Sequence, residues 1–136
     1  MMKIVFLIFS LLLLAYFTQE KQLKVDAISS ETVINIKLNN GEKWEADAAT
    51  TASIEKLKEI CSAHFNTKTI DDELLKEQLT AEVNNLNRVT GLKDGARSQL
   101  HNYQMGIRNR INVISQDRET LKWLMDYLDT FYTYFE

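Results

Sequence analysis

The pattern that most restricts how this chain can fold is an apolar stripe from Ala96 through Leu100, Tyr103, Ile107 and Ile111 to Ile114, in steps of four, three, four, four and three. Residues at that spacing share one side of an α-helix, so the segment predicts a helix whose apolar side is covered by partner helices. Three more segments carry the same signature. Ile54, Leu57, Ile60 or Cys61, and His64 or Phe65 recur at helical steps from a start near Thr50 to Ser53, with Glu55, Lys56, Lys58 and Glu59 opposite. The next segment opens at Thr69 or Asp71, either able to cap exposed amides. Asp71, Asp72 and Glu73 suit the positive end of its dipole, and Leu75, Leu79, Val83, Leu86 and Val89 form its stripe. Gly91, Asp94 and Gly95 mark the turn into the central stripe. Ser115 or Asp117 opens the last helix, with Leu121, Leu124, Leu128, Phe131 and Phe135 inward and Trp123, Tyr127, Tyr132 and Tyr134 on its flanks. No proline interrupts any of them.

Ahead of the helices the period changes from 3.6 to 2. In Thr32 to Leu38, Ile34, Ile36 and Leu38 alternate with Asn35 and Lys37, as in a half-buried strand. Asn39-Asn40-Gly41-Glu42 supplies residues that tolerate positive φ, and Lys43 to Asp47 resumes the alternation with Trp44 and Ala46 on one face. The expected fold is mainly α: an N-terminal β-hairpin over 32–47 packed on a four-helix bundle over 51–136. A hairpin alone is marginal in water, so it requires the bundle as its apolar support.

Met1, Met2 and Lys3 lead into an apolar run, Ile4 to Phe17, that only Ser10 interrupts. A short positive head and an apolar stretch below the ~20 residues of a membrane-spanning helix read as a secretory signal. Val25-Asp26-Ala27 offers the better small-residue cleavage site, which gives a signal peptide over 1–27 and a single domain over 28–136. The alternative is an uncleaved, short membrane anchor over 4–17, flanked by Lys3, Lys21 and Lys24. The protein is expected to be exported, periplasmic or secreted, with membrane contact only through that segment.

Without residues 1–27, 13 basic and 17 acidic residues remain, a net charge of −4. The basic residues are dispersed, and Arg97, Arg108 and Arg110 are the nearest to a cluster. That balance argues against nucleic acid as a partner. Cys61 is the only cysteine, so no internal disulfide forms; in an oxidising compartment it is buried, ligating, linked to another chain or reactive.

Two groups of residues carry candidate chemistry. Cys61 and His64 lie three apart on one helical face, and His101 and Met105 lie four apart on another. Together they would offer a soft-ligand set suited to Cu(I) or Zn(II) if the two faces met. The ordinary reading is that Cys61 fills the core and His64 ends a helix where positive charge is welcome. As a nucleophile and base, Cys61 and His64 would still need an orienting group and an oxyanion site. The acids Asp71 to Glu73 read as a helix start, and no glycine loop cradles a phosphate. The second group is aromatic. Trp123, Tyr127 and Tyr134 together on the outer flank would make a rigid amphipathic patch of the kind that anchors protein interfaces; packing beneath the hairpin, against Trp44, is the ordinary reading and the preferred one.

The segment Ile36 to Trp44, with Leu38-Asn39-Asn40-Gly41-Glu42-Lys43-Trp44 at its centre, Gly91 to Tyr103, and Tyr132 to Glu136 together resemble a group of small exported bacterial proteins. These have a signal or lipoprotein leader, an L-N-N-G-x-K-W hairpin and a helical domain. Some carry Cys, Met and His around a Leu-His pair, which suggests heavy-metal handling. Of that set only His101, in Leu100-His101, carries over; Thr90, Leu92 and Arg97 stand where those members place soft ligands. The resemblance thus implies an exported helical domain and leaves any metal site to Cys61, His64 and Met105.

The functional expectation is a non-enzymatic, exported binding or interaction module without a cofactor, its partner another exported protein or a second copy of itself. The alternative is a periplasmic soft-metal (Cu or Zn) binding protein.

Overall fold

A computed structural model describes residues 35–136; the signal segment expected over 1–27 and the first part of the expected hairpin, 32–34, lie outside the described residues. Each helix begins where an aspartate or a turn lets it. Asp47 accepts from the Thr50 amide at 2.9 Å and caps α1, Ala48–Phe65, which starts a little earlier than its apolar spacing suggested. Asp71 accepts from the Leu74 amide at 3.1 Å and caps α2, Asp72–Val89. α3, Asp94–Asn112, has no side-chain cap and enters through Asp94, whose φ of 52° lies in the left-handed region that aspartate tolerates. Asp117 accepts from the Glu119 amide at 3.1 Å and caps α4, Arg118–Asp129. At Thr130 both the amide and the hydroxyl donate to the Tyr127 carbonyl, at 2.9 and 2.6 Å. That ends α4, and one further turn, α5, Phe131–Tyr134, follows.

The stripes meet as their spacing predicts. α1 packs against α2 and α4, and α3 packs against the same two helices, so the four close into a bundle. Ile54, Leu57, Cys61, Leu75, Leu79, Val83, Leu86, Leu100, Tyr103, Ile107, Leu121, Leu124, Leu128, Phe131 and Phe135 are all fully buried. At ~1.5–3 kcal/mol for each large apolar side chain, this burial outweighs the modest intrinsic preference of such short helices.

Charged side chains secure the ends of the helices to the loops. Arg118, at the start of α4, donates to the carbonyls of Phe65, Thr67 and Lys68 just beyond α1 and within its last turn. Arg97 of α3 donates to the Asn87 carbonyl at 3.2 Å and the Thr90 carbonyl at 3.5 Å, at the end of α2. Asp47 uses its second carboxylate oxygen to accept from the Gly91 amide at 2.6 Å, joining the start of α1 to the α2–α3 turn.

The β segment departs from the simple hairpin. The turn itself forms: Asn39 and Glu42 exchange both main-chain hydrogen bonds, at 2.8 and 3.1 Å, around Asn40 and Gly41 at φ 53° and 86°. In a two-residue hairpin the next hydrogen-bonded pair would join residues 37 and 44. Trp44 instead donates its amide to the Tyr134 carbonyl at 2.8 Å and accepts from the Glu136 amide at 2.9 Å, while the Ala46 amide donates to the Glu136 carbonyl at 2.7 Å. These bonds form a parallel bridge between residue 44 and Phe135. The Lys37 carbonyl accepts from the Trp44 indole at 2.7 Å, and the Lys37 amide donates to the Gln99 side-chain oxygen at 2.7 Å. Among the described residues the expected ladder therefore stops at its turn, because the main chain of Trp44 is already committed to the C-terminal segment. The Trp44 ring lies over Gly95, where a Cβ would sit 2.6 Å from it.

Candidate functional site

Stacked aromatic rings and an arginine come together where α3 meets α4. Tyr103, fully buried on the α3 stripe, stacks on Tyr127 of α4 with ring centroids 4.6 Å apart and planes 15° from parallel. Each phenol donates to the other residue's main-chain carbonyl: Tyr103 to Tyr127 at 2.7 Å, Tyr127 to Tyr103 at 3.0 Å. Burial pushes the Tyr103 phenol well above its ordinary range, so it remains a neutral donor. Phe131 meets the Tyr103 ring edge-on at 5.5 Å and stacks on Phe135 at 4.8 Å.

On the outer side of this pair, the Arg110 guanidinium lies over the Tyr127 ring at 3.8 Å and over the Trp123 ring at 4.3 Å. Arg110 is only 8 % exposed and also donates to the Gly106 carbonyl at 3.0 Å, one turn back on its own helix. A cation flattened on two rings is held by their quadrupoles as well as by packing. Gly106 makes room for the arrangement: a Cβ there would fall inside contact distance of the Tyr127 hydroxyl. The outcome is an unbroken series of contacts from half-buried Trp123 through Arg110 and Tyr127 to Tyr103 in the core.

Of the expected aromatic patch, Trp123 and Tyr127 thus share a partner in Arg110. Tyr134, half-buried, is tied through its carbonyl to Trp44. The loose Arg97, Arg108 and Arg110 group separates into three roles: Arg97 caps α2, Arg108 donates to the Asn84 side chain at 2.9 Å, and Arg110 stacks.

The soft-ligand candidates occupy different surroundings. Cys61 is fully buried on the α1 stripe, and burial pushes its thiol up to about 12. His64, half-buried, has its Nε2 2.8 Å from the Gln78 side-chain oxygen of α2. His101 is exposed, and Met105 is 43 % exposed. Among the described residues no group of three or more His, Cys, Asp or Glu side chains could hold a metal ion. A hollow of about 590 Å³ lies between α1 and α2, lined by Lys56, Glu59, Ile60, Ala63, Gln78, Ala81 and Glu82. Its Glu82 accepts from the Ser53 hydroxyl at 2.6 Å and the Asn85 side chain at 3.1 Å. No helix among the described residues is long and apolar enough to cross a membrane.

Arg110 and Gly106 escaped the sequence reading as members of the site. Gly106 did leave a signal: a glycine in mid-helix costs ~1 kcal/mol against alanine, and such a position often marks a close approach. No family model, no curated protein and no solved structure matches the chain.

Proposed function

We propose that this chain is a non-enzymatic, exported binding module, acting in the periplasm or outside the cell, and that it meets another exported protein, or a second copy of itself, through the α3–α4 aromatic face. The observation that carries this reading is Trp123, half-buried and seated on the Arg110 guanidinium at 4.3 Å. Trp, Tyr and Arg are the residues that most often dominate interface energetics. A side chain already held in place loses little further conformational freedom when a partner covers it. The apolar run of residues 4–17 and the resemblance to small exported proteins support export, and the turn at Asn39 to Glu42 offers a second, smaller contact edge.

The test is sedimentation over a wide concentration range together with affinity capture from exported proteins, comparing the wild type with Trp123→Ala and with Leu74→Ala. Leu74 is 43 % exposed on α2, outside the proposed face. Association weakened by Trp123→Ala and unaffected by Leu74→Ala supports the reading. A monomer at every concentration, with no species distinguishing the two variants, opposes it.

A further inference from the structure

The chain's one Asn-Gly pair, Asn40-Gly41, sits at the tip of the turn, and its surroundings suit a chemical modification that the proposed function does not use. Both residues are exposed, and both have positive φ, 53° and 86°. The reciprocal bonds between Asn39 and Glu42 secure the two ends of the turn and leave the Gly41 amide without an acceptor among the described residues. Around the Cβ position of Gly41 no described residue comes within 4 Å beyond its chain neighbours. An amide that is unbonded, unshielded and followed by no side chain is free to approach its neighbour's carboxamide.

We propose that Asn40 is a site of spontaneous deamidation through a succinimide. The Gly41 amide nitrogen, losing its proton to water, attacks Asn40 Cγ. A new N–Cγ bond forms, the Cγ–Nδ2 bond breaks, and Nδ2 leaves as ammonia after taking up a proton. Water then opens the ring at either carbonyl, giving aspartate or, where the main chain is rerouted through Cβ and Cγ, isoaspartate. The net change is carboxamide plus water to carboxylate plus ammonium, with no oxidant or reductant. Other asparagines lack the combination: Asn84, Asn102 and Asn109 precede residues with side chains and lie inside helices, where the following amide belongs to the helix ladder.

The modification alters the turn. It adds a negative charge two residues from Glu42, and the isoaspartyl form lengthens the main chain inside the Asn39–Glu42 exchange. The Trp44 indole bond to the Lys37 carbonyl spans the same turn, so the hold of residues 37–44 on α3 loosens with it.

The experiment is incubation of the full chain, folded and in denaturant, at mildly alkaline pH and physiological temperature. Peptide mapping by mass spectrometry and isoaspartyl detection follow, with Asn40→Gly as the control. The expected result is a gain of one mass unit in the folded protein that maps to Asn40, is largely isoaspartyl, precedes any change at Asn84, Asn102 or Asn109, and is absent from Asn40→Gly. Retention of the Asn40 amide in the folded protein while the denatured chain loses it would overturn the proposal. So would a gain that maps to another asparagine or persists in Asn40→Gly.

Discussion

Tyr103 and Tyr127 hold each other twice: each phenol donates to the other's main-chain carbonyl, at 2.7 and 3.0 Å, while their rings stack 4.6 Å apart. The pair binds α3 to α4 at the level of Gly106, and the proposed contact face is built on it. Replacing either tyrosine by phenylalanine keeps the stack and removes one bond, at a cost of ~1 kcal/mol each. Because the two bonds support the same stack, the double variant is expected to deviate from additivity in a urea-denaturation cycle.

Gly106→Ala gives a sharper test of the same packing. In an exposed mid-helix position this change would stabilise by ~1 kcal/mol. Here the added methyl meets the Tyr127 ring and hydroxyl, so a loss of ~1–3 kcal/mol is expected. In a Tyr127→Ala background the sign should reverse, because the obstructing ring is gone. Equilibrium unfolding of the four proteins measures both signs.

Arg118 donates to the carbonyls of Phe65, Thr67 and Lys68, and so closes the end of α1 against the start of α4. Arg118→Met keeps most of the stem and removes the donors. A loss of ~1–3 kcal/mol is expected from the carbonyls left without their charged partner. Amide exchange should rise locally over residues 65–70 rather than across the α3–α4 face.

Stability should fall away in both acid and alkali. Hydrogen bonds, chiefly from Thr50 and then from Gly91, hold the Asp47 carboxyl below its ordinary value, so its stabilisation is present above about pH 3.8 and is lost as the pH falls through the folded-state value. Asp47→Ala, which also loses an N-cap worth ~0.5–2 kcal/mol, should therefore lower stability at neutral pH and narrow the gap to wild type in acid. In alkali the sign is opposite. Burial raises the Cys61 thiol from about 9 to about 12, so the fold keeps a proton that the unfolded chain releases, and stability declines as the pH rises across that window. Cys61→Ala should reduce the slope there, and thiol-reagent labelling of the wild type at neutral pH should follow unfolding.

The helical part of this structure was legible because a period of 3.6 is a local property. Leu75, Leu79, Val83 and Leu86 of the α2 stripe, Leu121, Leu124 and Leu128 of α4, and Phe131 and Phe135 beyond it are all buried, and Val89 at the end of α2 is half-buried. The Asn-Gly turn was legible for the same reason. What followed the turn was not: the choice of Trp44 between Lys37 and residues 134–136 is settled by contacts some ninety residues apart, which no local pattern encodes. The Arg110 stack depends on which helices become neighbours and at what height. Only the mid-helix Gly106 pointed toward it.

The central claim is that the Trp123 face is where this protein meets its partner, and the most direct measurement is association compared across wild type, Trp123→Ala and Leu74→Ala, with each variant's melting temperature as the control for folding. The account predicts that Trp123→Ala, still folded, loses the self-association or the captured exported protein that wild type and Leu74→Ala retain. Equal association by all three, or none by any, would contradict it.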